Sequence, residues 1–144
     1  MEERGLPEGG RFEPDSWCCF IPGYDLINPN KLMRMHWAAR KKALKNLLQM
    51  VLVYGDKPIP TFQSRVKISV TRSWGKRKRA FDIDNLYGGC KLLLDALKEK
   101  GGLGIISDDS PKQVLLEVRQ EKSGDDIGGI RITVEVSEEG PNDQ

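Results

Sequence analysis

From Ser64 to Trp74 the side chains alternate. Val66, Ile68 and Val70 fall on one side of an extended chain, and Arg65, Lys67, Ser69 and Thr71 on the other. A period of two describes a strand with one dry face and one wet face, so this stretch has to lie in a sheet covered on one side. Val114–Arg119 and Ile130–Val136 alternate in the same way, and the Gly-rich sequence between them reads as the connection of a hairpin. Trp17–Ile21, a short apolar run closed by Pro22-Gly23, reads as a fourth, buried strand. The segments from about Lys31 to Tyr54 and Asp84 to Lys100 have helical spacing instead. The predicted order is β-α-β-α-β-β, an α/β (α+β) fold in which two helices pack on a small mixed sheet. A chain of 144 residues can bury a real core as one domain, expected over residues 15–136. Residues 1–14, rich in Glu, Arg and Gly and without the apolar centre of a signal peptide, are expected to be a disordered leader. Residues 137–144 are expected to be a disordered acidic tail.

The net charge of +2 conceals a division. From Lys31 to Arg79 there are fourteen Lys and Arg against one acid, Asp56, a net +13; the remainder carries nine basic residues and twenty acids, a net −11. Such a field suits a polyanion on one surface, although solvated charge runs are also common. At about 100° per residue, Trp37, Leu44, Leu47, Leu48 and Val51 form the apolar seam of the first helix, and Lys31, Arg34, Lys41, Lys42 and Lys45 form a basic stripe beside it. Arg65 and Lys67 on the wet face of the strand, and Lys76, Arg77, Lys78 and Arg79 in the turn after Gly75, complete the expected phosphate contacts. The cysteines, Cys18, Cys19 and Cys90, are odd in number with two adjacent, a poor disulfide framework. With His36 the only histidine, zinc spacing is missing and buried thiols in a reducing cytoplasm are expected. His36 and Trp37 are expected to be structural, with Trp37 in the core. No apolar run is long enough to cross a bilayer.

The chemistry concentrates between Phe81 and Pro111. On the second predicted helix Leu86, Cys90, Leu93, Leu94 and Leu97 face the core, while Asp84, Lys91, Asp95 and Lys98 share the opposite side. Gly88 lies on that polar stripe, where its small size suggests a close ligand or another backbone. Read plainly, this is a solvated charged face, with Asp82 and Asp84 capping a helix start. One carboxylate would suffice for a cap, however, and a second acidic pair, Asp108-Asp109, precedes the strand at Val114. Were that strand to lie beside Val70, the turn is expected to return its carboxylates to the helix start. Two or three carboxylates with open water positions suit Mg²⁺, which can activate water against a phosphodiester, with Lys91 adding positive charge. A calcium-binding EF-hand loop starting at Asp82 would need Gly and Glu where Tyr87 and Leu93 stand.

In order, Asp82-Ile83-Asp84-Asn85-Leu86, Lys91, Leu94-Asp95-Ala96-Leu97 and Asp108-Asp109 resemble the RusA family of Holliday-junction resolvases over most of the domain. The Asn28-Pro29-Asn30 loop and the helix at His36-Trp37 stand where that family has a substrate loop and its first helix. The resemblance implies a homodimeric, Mg²⁺-dependent crossover junction endodeoxyribonuclease that nicks four-way DNA junctions symmetrically, in DNA recombination and repair. It implies Asp82, Asp84 and Asp109, with Asp108 the alternative to Asp109, as metal ligands; Lys91 as the catalytic lysine; and Asn28 and Asn30 as DNA contacts. The best-known members have the lysine one turn after the second aspartate, where this chain has Gly88; Gly88-Gly89-Cys90 resembles a three-residue insertion that moves it to Lys91. Two other readings stand beside this one: a broader flap or fork nuclease, and a DNA-binding module whose acids are only caps and loop residues.

Overall fold

In the computed structural model, which describes residues 12–76 and 78–137, the elements follow the order β1 (Ser16–Pro22), α1 (Pro29–Arg34), α2 (Trp37–Tyr54), β2 (Val66–Trp74), α3 (Ile83–Gly88), α4 (Lys91–Leu97), β3 (Val114–Lys122) and β4 (Gly129–Val136). The strands form one mixed sheet in the order β1-β4-β2-β3. β4 is antiparallel to β1 and β2, whereas β2 and β3 are parallel. Trp17, Cys19 and Ile21, Val66, Ile68 and Val70, and Ile130, Ile132 and Val134 turn to one face of the sheet and are buried there with Leu47 and Val51 of α2, Leu86 of α3 and Leu92, Leu93 and Leu97 of α4. The fold is thus the α+β arrangement that the alternation demands, with a mixed four-stranded sheet.

The expected hairpin does not form. β3 pairs with β2, Val70 facing Val118, and β4 inserts between β1 and β2 with Ile132 opposite Val70. Alternation fixes which side of a strand is dry, and it is silent about neighbours. The connection crosses the end of β2 closely: a Cβ on Gly75 would lie 2.1 Å from the Asp126 carbonyl oxygen. Asp125 holds this turn, its Oδ1 accepting from the backbone N–H groups of Ile127 and Gly128 and from Ser123 Oγ. The bond from Gly128, followed by those from Ser123 and Ile127, holds the Asp125 carboxyl below its ordinary value.

Each expected helix is two segments. The first breaks at Met35 and His36, both extended, and His36 Nδ1 caps α2 by accepting from Ala38 N–H at 3.2 Å. Only Leu47 and Val51 of α2 are buried, so the C-terminal half of the helix meets the core. Trp37, at its first turn, is 63% exposed and lies outside the core it was expected to join, stacked obliquely against His36 at 5.6 Å. The second helix breaks at Gly89 and Cys90, between α3 and α4. The domain also begins earlier than residue 15. Glu13 is buried, its carboxylate accepting from Gln63 N–H at 2.7 Å and Ser64 Oγ at 2.6 Å, and Thr61 N–H donates to the Phe12 carbonyl. The remainder of the expected leader, residues 1–11, and residues 138–144 of the expected tail lie outside the described residues. No described helix is long and apolar enough to cross a membrane.

Candidate functional site

β2 carries an arginine in the phase of its buried residues. Arg72 follows Val66, Ile68 and Val70 onto the dry face and is 1% exposed. A buried guanidinium is tolerated only when its charge and its donors are met. Arg72 Nε and Nη2 bond Asp25 Oδ1 and Oδ2 at 2.6 and 3.0 Å, and Nη1 donates to the Arg79 carbonyl at 2.8 Å and to Gln120 Oε1 at 3.3 Å. The guanidinium carbon stands 3.9 Å from the centroid of the Phe81 ring. Gln120, on β3, clasps the Phe81 backbone from both sides, accepting from its N–H at 2.9 Å and donating to its carbonyl at 2.7 Å. One network thus ties the loop at Asp25 to segment 79–81, immediately before Asp82. Sequence reading missed Arg72, Asp25 and Gln120; an arginine two residues beyond Val70 in a strict alternation was the available signal.

The same loop is seated on α3 from the other side. A Cβ on Gly88 would lie 2.8 Å from Pro29 Cγ, and one on Gly89 would lie 3.0 Å from Leu26 Cβ. The glycine pair is the notch into which Leu26 and Pro29 fit, so Gly88 faces a proline side chain where a ligand or another backbone was expected. Asn28 caps α1, its side chain accepting from Asn30 N–H at 2.8 Å. Between this loop and the turn after β2 lies a cleft of about 370 Å³ lined by Asp25, Leu26, Ile27, Asn28, Lys31, Arg72, Lys78, Arg79, Ala80 and Phe81.

Asp82 and Asp84 stand together at the start of α3, Asp82 directly following Phe81 of the cleft lining. Asp82 is the N-cap, its Oδ1 accepting from Asn85 N–H at 2.8 Å. Asp84 is exposed in the first turn. Asp108 and Asp109 do not join them. Gln113, just ahead of β3, accepts from Asp108 N–H at 3.2 Å, whereas Gln120 near the far end of β3 holds Phe81; seven residues of strand separate these anchors by roughly 23 Å. The condition set by the sequence is met, because β3 does lie beside β2. The parallel pairing, however, makes α3 and α4 descend the full length of the strands before the Asp108-Asp109 turn, which leaves the two acidic pairs at opposite ends. Among the described residues no three His, Cys, Asp or Glu side chains are grouped to hold a metal ion.

Lys91 opens α4 beyond the Gly89-Cys90 break and is turned along the helix to Asp95, 3.2 Å away, which Lys98 also meets at 3.1 Å. Hydrogen bonding to Asp95, then its charge, raises the Lys98 ammonium above its ordinary value, and Asp109 and Asp108 add to this from nearby. Lys91 thus pairs with Asp95, a carboxylate it shares with Lys98. Of the expected phosphate contacts, Asn28, Lys31, Lys78 and Arg79 line the cleft. Asn30, Arg34, Lys41, Lys42 and Lys45 are exposed on α1 and α2. Arg65 and Lys67 alternate with the buried residues of β2 and so occupy the opposite face of the sheet, where Lys67 pairs with Glu117 at 3.3 Å. Lys76 pairs with Asp126 at 3.6 Å, and Arg77 lies outside the described residues. No protein-family model matches this chain, and no curated protein matches it either.

At the start of α3, Asp82 and Asp84 offer two carboxylates to a cation such as Mg²⁺. This cation keeps several waters and is commonly held by one or two carboxylates together with substrate phosphates, and Asp82 and Asp84 are such a pair. The described arrangement brings no third carboxylate to it.

Proposed function

We propose that this chain is a Mg²⁺-dependent endodeoxyribonuclease selective for branched DNA, acting as a homodimer that nicks the two equivalent strands of a four-way junction. The observation that supports this reading is the meeting of the Asn28–Lys31 segment with Lys78 and Arg79 around one cleft, whose lining residue Phe81 leads directly into Asp82 and the start of α3. Cations there would hold the phosphates of a strand, and the exposed carboxylate of Asp84 would be directed at the phosphodiester beside them. Mg²⁺, when bound by Asp82 and Asp84, supplies the activation of a water and neutralises charge on the phosphate. Asn85 N–H keeps the Asp82 carboxylate oriented for that purpose. A two-fold pair of protomers presents the same cleft to two symmetry-related strands.

A second reading, DNA binding without cleavage, is favoured by the wide separation of Asp82 from Asp108 along β3. Asp84→Asn decides between them on labelled four-way junction, fork and linear duplex substrates. Nicking of the junction in Mg²⁺ should fall by roughly 100-fold or more, while junction binding in EDTA persists. Unchanged nicking would remove Asp84 from the site. A native protein with no Mg²⁺-dependent product would establish the binding-only reading, and equal rates on fork and junction would broaden the substrate to branched DNA generally.

A further inference from the structure

The cleft has a composition that binding to duplex phosphates does not require. Its rim is cationic, with Lys31 and Arg79 exposed and the Lys78 side chain 61% exposed. Its one acid, Asp25, is engaged by Arg72, so the floor is a closed ion pair and the remaining charge is on the rim. Lys78 Nζ stands 3.6 Å from Asp25 Oδ2, a long solvated contact that an arriving phosphate can displace. The wall, by contrast, is apolar: Leu26, Ile27, Ala80 and Phe81. Phe81 has its ring against the Arg72 guanidinium and its backbone held by Gln120, so this part of the wall is fixed in place. In duplex DNA the faces of the bases are stacked away, leaving phosphates, sugars and the base edges in the grooves to meet a protein surface. An apolar wall in the same cleft as a cationic rim suits a strand whose bases are free, as in grooves that track a single-stranded backbone and pack its bases on flat side chains.

We infer that this cleft is a subsite for one unpaired nucleotide, its phosphate held by Lys31, Lys78 and Arg79 and its base laid on Ile27, Ala80 and Phe81. The volume, about 370 Å³, falls in the range of pockets that enclose small molecules. The inference rests on the reading of this chain as a DNA-binding protein and deepens it: a strand at a branch point can place an unpaired nucleotide here, and an intact duplex cannot. The Arg72–Asp25 pair gives the cleft its fixed shape, joining the loop that forms one wall to the segment that forms the other.

Binding measured without metal separates this subsite from cleavage. The probes are a five-nucleotide deoxythymidine oligomer and an abasic oligomer of the same length, which keeps the phosphates and lacks the bases. In EDTA the deoxythymidine oligomer should bind the full chain at least roughly fivefold more tightly. In methyl-labelled protein, the Ile27 and Ala80 methyl resonances should shift with deoxythymidine and stay in place with the abasic oligomer. Equal affinities, or methyl shifts that do not depend on the bases, would overturn the subsite and leave a phosphate-binding surface. A protein that gives these shifts yet cleaves no junction in Mg²⁺ loses the nuclease reading and keeps the subsite; one that cleaves without base-dependent shifts does the reverse.

Discussion

Arg72 concentrates more of this molecule's organisation than any other side chain. It satisfies Asp25, the Arg79 carbonyl and Gln120 from one buried position, and each partner belongs to a different stretch of chain. Removing one member of a buried pair leaves the other charged and without its partner, and the loss commonly reaches about 3 kcal/mol or more. Arg72→Met should therefore lower stability by about 3 kcal/mol in urea unfolding. Arg72→Lys should recover only part of this, because a single ammonium cannot reproduce the two-pronged contact with Asp25. Equal stability of both variants with the native chain would mean that the network contributes nothing. The thiols behave differently: burial pushes Cys19 and Cys90 up to about 12, as expected of buried thiols, whereas Cys18, expected to be buried with them, is only partly covered.

At the scale of elements, α3 lets a capping role be separated from a chemical one. Asp82 is the N-cap of α3, and asparagine caps about as well as aspartate whereas alanine does not. Asp82→Asn should hold stability within about 0.5 kcal/mol, and Asp82→Ala should lose about 1 kcal/mol, both read from thermal unfolding. Junction nicking should fall in both variants. Full activity in Asp82→Asn would reduce Asp82 to a cap. The strands were legible because Val66, Ile68 and Val70 or Ile130, Ile132 and Val134 declare a dry face residue by residue. The helix breaks were not: Gly88-Gly89 reads as a weak point in a helix, and only Leu26 and Pro29, distant in sequence, explain why the chain bends there. His36 concealed its break as well, since a histidine cap carries a fainter signal than serine or aspartate.

Across the whole molecule, the charge division survives folding but not as one basic face. The cleft, the α2 stripe and the outer sheet face each receive part of it, and Lys67 is neutralised by Glu117. Replacing Lys41, Lys42 and Lys45 together by alanine should weaken junction binding and flatten its dependence on salt by about 0.9 for each phosphate that is no longer neutralised. Anisotropy titrations across salt concentrations measure this slope, and an unchanged slope would place the DNA elsewhere. The position of Asp108-Asp109 was hidden for a topological reason. The sequence left β3 beside β2 as a condition, which the sheet meets, yet antiparallel and parallel partners deliver the preceding turn to opposite ends of a strand, and nothing in Val114–Arg119 distinguishes them.

The seat of Pro29 in the notch left by Gly88 reaches beyond this one chain. Any side chain at position 88 collides with the proline ring at 2.8 Å, and without the ring the notch is a hole. In a lineage of such sequences positions 29 and 88 would accordingly drift as a pair, a large residue in one answered by a small residue in the other.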